Sequence, residues 1–126
     1  MIILLFGFLF SCASNVELSK EEMLTGSWDY VTEKDEPIEA QLYLRADQTY
    51  QYDAVASGEN FVQNGTWKLT EHGEIEIFLE EVIRNGAKKI KVNKNAYINI
   101  LSLTNGQMIL QFGTDREYKQ KFHRID

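Results

Sequence analysis

The chain has 126 residues, 44% of them hydrophobic, and a formal net charge of -6 at pH 7. That length holds one domain and is too short for two, and an acidic chain with no Lys/Arg run lacks the electrostatic footprint of a nucleic-acid binder. A single Pro and 8 Gly exclude collagen-like repeats and extended disorder, while 12% aromatic residues, led by Phe and Tyr, lean toward β structure.

Ile2 to Phe10 is apolar apart from Gly7. The run is far shorter than the ~20 residues of a membrane-spanning helix, and it matches the apolar core of a secretory signal. Leu9-Phe10-Ser11-Cys12 then resembles a bacterial lipobox, in which the Cys becomes the first mature residue and carries lipid chains. The bland alternative is a free Cys buried in an N-terminal strand. Lipidation accounts for the only thiol, which has no partner for a disulfide within the chain, and several acyl chains at about 0.8 kcal/mol per buried methylene hold a protein on a membrane. Residues 1–11 are therefore expected to be a signal peptide, 12–18 a lipid-anchored tether, and 19–126 the folded domain.

Ser19-Lys20-Glu21-Glu22 fits a capping box at the start of a short helix, which Gly26 ends. The periodicity then changes to two. A first strand is expected over Ser27 to Glu33, with Trp28, Tyr30 and Thr32 on one face. Lys34 to Pro37 reads as a loop. Ala40, Leu42 and Leu44 mark a second strand, Ala46-Asp47-Gln48 a turn, and Tyr50, Tyr52 and Ala54 a third strand. Ser57 to Asn60 reads as a loop. Phe61, Gln63, Gly65, Trp67 and Leu69 share one face of a fourth strand, bent at Asn64-Gly65 because Gly inside a strand marks a bulge or barrel corner.

Glu71-His72-Gly73 is a turn, and Ile75, Ile77 and Leu79 face one side of the next strand. Asn85-Gly86 signals a hairpin, and a two-residue loop there places Glu80 opposite Lys91. Lys88, Lys89, Lys91 and Lys94 then face a Glu-rich strand, as a solvated outer surface. Asn105-Gly106 signals another hairpin, pairing Leu103 with Met108 and Leu101 with Leu110. The opposite faces would carry Ile98, Ile100 and Ile109, so both faces of this hairpin are apolar and it is either covered on both sides or bulged; an apolar surface from Tyr97 to Phe112 would suit a protein partner. Gly113-Thr114-Asp115 ends that strand, and Tyr118, Gln120, Phe122 and Arg124 share one face of the last. Eight or nine short-linked strands with no crossover helix predict an all-β, antiparallel up-and-down meander closed into a barrel, with a short N-terminal helix. Closure removes sheet edges, so a monomer is expected.

No reactive set converges. His72 lies in a turn and His123 on the outward parity, without metal-ligand spacing. Glu80 and Glu81 point to opposite faces and cannot share a proton. No phosphate-cradling loop is present. Neither an enzyme nor a metal or organic cofactor is expected. Tyr30, Tyr50, Tyr52, Phe61 and Trp67 share the inward parity, joined by Gln63 and Gln120. They form either a filled core or a cup with aromatic walls and polar handles.

The chain resembles small lipocalin-like lipoprotein domains of Gram-negative bacteria. The resemblance rests on Gly26-Ser27-Trp28, on Leu42-x-Leu44 with Asp47-x-Thr49-Tyr50, on Gly65-Thr66-Trp67 and on the strand from Tyr118 to Arg124. It implies an eight-stranded barrel whose closed end holds Trp28, covered by a basic residue of the last strand, Arg124 or else Arg116. It also implies a protein anchored to the outer membrane, on its periplasmic or surface side. The expected function is binding of a small apolar or amphipathic molecule. The alternative is a filled barrel that docks on another envelope protein.

Overall fold

The change of period after Gly26 is a change of backbone. In the computed structural model, which describes residues 19–32, 37–112 and 119–125, one short helix, α1 (Lys20–Leu24), leads into β1 (Gly26–Tyr30). Ser19 caps α1 reciprocally: the Glu22 amide donates to its hydroxyl (3.1 Å) and its own amide donates to the Glu22 carboxylate (3.0 Å). Gly26 carries a φ of 143°, which other residues rarely adopt, as the chain leaves the helix for the strand.

Seven strands follow: β2 (Ile38–Leu44), β3 (Thr49–Ala56), β4 (Glu59–Leu69), β5 (Glu74–Arg84), β6 (Lys88–Leu103), β7 (Gln107–Phe112) and β8 (Lys119–Arg124). Each pairs antiparallel with its neighbour, and β8 returns to β1 through Trp28↔Arg124 and Tyr30↔Phe122. The product is a closed barrel of eight strands in sequence order. Inward side chains alternate with outward ones: Leu42, Leu44, Ile75, Ile77, Met108, Leu110 and Phe122 are buried.

Several local features differ from the period-two pattern. β1 ends at Tyr30, and residues 33–36 lie outside the described part. Ser57-Gly58 alone forms the β3–β4 turn, with φ of 53° and 82°, so Glu59 and Asn60 already pair with Ala56 and Val55. Two positive φ angles make a tight hairpin turn, and Ser in the first position disguises it. At Asn64/Gly65 the register shifts within a continuous strand. A Cβ on Gly65 would lie 2.0 Å from the Phe78 carbonyl oxygen, so only glycine allows the two strands this approach.

The β5–β6 hairpin is one residue out from the expected register. Arg84 pairs with Lys88, and Glu81, not Glu80, lies opposite Lys91. Asn85 is the cause: its amide donates to the Asn60 carbonyl (2.6 Å), while its side-chain oxygen accepts from the Asn60 amide (2.9 Å). Asn85 thereby extends the β4–β5 pairing and pushes the turn toward Ala87. The Glu81 carboxylate accepts from Asn64 (3.1 Å) and pairs with Lys89 (3.2 Å), which together hold its pKa below the usual carboxylate range.

Of the two arrangements expected for the β6–β7 hairpin, covered on both sides or bulged, the bulge is present, at Leu101. Leu103 pairs with Met108 as expected, but Leu110 pairs with Ile100, and Leu101 drops out of the ladder. The bulge reverses parity. Ile98 is buried, Ile100 packs against the core, and Ile109 is not part of that cluster. Ile98, Ile100 and Ile109 therefore share no outer surface, while Leu101 turns outward at 47% exposure.

The closed end is built around Trp28, which is fully buried. Its indole N–H donates to the Leu24 carbonyl (2.9 Å), and the Arg124 guanidinium lies over its ring, 4.3 Å from the centroid. The same guanidinium donates to the carbonyls of Asn105 (2.8 Å), Thr25 (2.8 Å) and Met23. Arg124 is thus the basic partner of Trp28, and Arg116 and Tyr118 lie outside the described residues. Trp28→Ala is expected to cost about 3–5 kcal/mol in urea unfolding, as loss of a large buried side chain does. A double-mutant cycle with Arg124→Ala should show coupling of about 0.5–2 kcal/mol or more; additive effects would separate the two residues.

Candidate functional site

The barrel is filled at the Trp28 end and open in its upper half. A cavity of about 400 Å³ lies against Ile38 at the start of β2, Ala56 at the end of β3, Phe61 near the start of β4, Phe112 at the end of β7 and Gln120 near the start of β8. All five positions belong to the end away from Gly26 and Arg124. The volume falls within the ~300–1,000 Å³ of small-molecule pockets. Space exists there because small residues occupy inward positions: Ala54 and Ala96 also line the wall. Deeper lining comes from Ile77 and Ile98, and no lining residue carries a charge.

Of the seven residues expected to face a ligand, Tyr50, Tyr52, Phe61, Gln63 and Gln120 converge on this cavity. The other two are diverted. Trp67 is 2% exposed and lies outside the lining; its indole N–H donates to the Arg45 carbonyl (2.9 Å), fixing it as a second plug under the β2–β3 turn. Tyr30 is buried against Phe122, ring centroids 5.7 Å apart. Its remaining surface belongs to a polar concavity shared with Asp29, Glu39 and Asp53, distinct from the interior cavity. Inward parity held for both residues, but parity does not report depth along the barrel.

Sequence reasoning missed Phe112, Ile98 and the lining alanines. The Leu101 bulge hid Ile98 and its cross-strand neighbour Phe112. Ala54 and Ala96 did carry a signal, because a small residue at an inward position leaves room that its neighbours must fill or a ligand can take.

The polar groups of an otherwise apolar wall are the hydroxyls of Tyr50 and Tyr52 and the amides of Gln63 and Gln120. The Tyr50 hydroxyl donates to Gln63 Oε1 (2.9 Å). Burial pushes the Tyr50 pKa well above its ordinary value, with a smaller contribution from neighbouring Tyr52. Gln120 is 5% exposed. On the outer surface His123 lies 3.9 Å from Asp29, and His72 is exposed in its turn. Among the described residues no His, Cys, Asp and Glu side chains group as a metal site. Comparison with family models and with curated proteins gives no match.

The Tyr50 shift has a defined pH consequence. A phenol whose folded pKa is raised keeps its proton where the unfolded chain loses it, so its contribution to stability is complete below the ordinary value of 10.0 and is lost as pH rises above it. Tyr50→Phe is expected to remove that component. The drop in unfolding free energy between pH 9 and pH 11 should be smaller in the variant than in the parent, and equal drops would place the phenol in contact with water.

Proposed function

We propose that this chain is an envelope lipoprotein, held on the membrane through lipid on Cys12, whose lipocalin-like barrel binds a small apolar or amphipathic molecule at the mouth opposite Trp28. The observation that carries the binding reading is the uncharged cavity of about 400 Å³, walled by Tyr, Phe and Ile with isolated amide and hydroxyl groups. Apolar lining supplies affinity roughly in proportion to the surface removed from water, and a few fixed polar groups supply orientation. The Trp28–Arg124 stack and the eight-stranded closure support the lipocalin-like assignment. The reading assigns the protein no reaction.

The binding reading is preferred to the docking alternative because Ile98 and Ile100 belong to the core, leaving Tyr97 and Leu101 as the exposed large apolar side chains between Tyr97 and Phe112 among the described residues.

N-phenyl-1-naphthylamine, a neutral apolar dye, should brighten on binding the protein. Ala56→Trp, which fills the mouth, should weaken that binding at least about tenfold, as expected for loss of an apolar site of this size. Unchanged dye binding in the variant would remove the interior cavity as the site. Separately, Cys12→Ser should leave the protein in the soluble fraction of lysed cells; continued partition with membranes would end the lipid-anchor reading.

A further inference from the structure

On the cavity wall the Gln120 side chain makes no hydrogen bond among the described residues, at either its donor or its acceptor. Gln120 lies on the inward face of β8, between apolar neighbours: Phe122 two residues on, and Leu110 directly across on β7. It is 5% exposed and lines the cavity. Among the described residues its side chain finds no hydrogen-bond partner, yet no unpaired polar atom is sealed inside protein. Its amide therefore opens into the cavity. Leaving a buried amide unpaired costs about 1–3 kcal/mol, and a Leu or Met of similar size would avoid that cost. Of the other lining amide, Gln63 on β4, the side-chain oxygen is already taken, accepting from Tyr50. β4 and β8 stand four strands apart in the ring of eight, on opposite walls.

We propose that Gln120 selects a neutral ligand whose polar group both donates and accepts a hydrogen bond, a primary or secondary amide on an apolar chain. The inference rests on the binding function proposed above and names the chemistry of its ligand. A carboxamide places an N–H and a C=O side by side and meets the Gln120 amide with two complementary bonds. An ionised group is excluded from this part of the cavity, because no lining residue offers a counter-charge to offset its lost hydration. The remaining lining takes the apolar chain.

The test uses the full chain in lipid nanodiscs, titrated calorimetrically with octanamide, N,N-dimethyloctanamide and octanoate at pH 7.5, with empty nanodiscs as blank. Octanamide is expected to bind about tenfold or more tightly than its dimethyl analogue, which cannot donate, as loss of a buried hydrogen bond implies. Gln120→Met keeps the volume and removes the amide, so it should reduce that preference to within about twofold while leaving the dimethyl analogue bound. The parent's own discrimination between the two amides keeps the test decisive if the variant fails to fold. Equal binding of both amides to the parent protein would overturn the selection while leaving the binding function intact. So would octanoate binding more tightly than octanamide, which would mean that a charge outside the cavity lining, and not Gln120, decides the preference. Failure of all three probes and of the naphthylamine dye would overturn both readings together.

Discussion

The guanidinium of Arg124 holds this barrel shut. It lies over the Trp28 ring and donates to backbone carbonyls from α1, from Thr25 between α1 and β1, and from the β6–β7 turn. Those carbonyls belong to Met23, Thr25 and Asn105, from opposite ends of the described chain, and one planar group with donors in a fixed fork reaches all of them. The last carbonyls of a helix have no partner within the helix. Here Met23 and Thr25 find one in Arg124, and Leu24 finds one in the Trp28 indole. A lysine could supply the charge but not the fork, and it would leave at least one of these oxygens without its donor.

Closing one end so thoroughly decides where the other end can be loose. Leu24, Trp28, Leu44, Met108 and Phe122 are each fully buried, so the lower barrel is packed as a protein interior is. Above Phe122 the inward positions change character: Ala54, Ala56 and Ala96 are small, and Gln63 and Gln120 are polar. An eight-stranded ring leaves an interior that side chains can just fill. Replacing large residues with alanine at one end leaves a volume there while the packed end supplies the stability. Trp67, bonded to the Arg45 carbonyl, completes the floor on the side of β4.

Period-two alternation made the architecture legible in the sequence: turn residues at short intervals and one parity of apolar side chains give a meander, and closure follows from the cost of open edges. Its failures are local and share a cause. Asn85 bonding to Asn60 shifts one hairpin by a residue, and Leu101 leaving the ladder reverses the face of another. Apolar residues on both faces of the second hairpin marked it as covered or bulged, but a bulged residue as apolar as its neighbours does not mark where the bulge falls. Gly65 was readable because glycine inside a strand is itself the mark. The candidate site was legible to the same degree. Tyr50, Tyr52, Phe61, Gln63 and Gln120 follow from parity, whereas Tyr30 and Trp67 share the parity but lie where the barrel is full.

Depth along the barrel therefore divides residues that sequence alone treats alike. Trp28 and Arg124 fill their end with interactions that leave nothing to offer a ligand. Gln120 lies on the same strand as Arg124, two alternations above it, in the same inward row. The guanidinium at the lower position has every partner it needs from the backbone, while the amide at the upper position has none among the described residues. A polar side chain on an inward row is thus structural or selective according to whether backbone carbonyls surround it or open volume does. On the proposed binding function, that distinction would separate stability from specificity on a single strand, with the clamp at one end keeping the barrel closed whatever stands at the mouth.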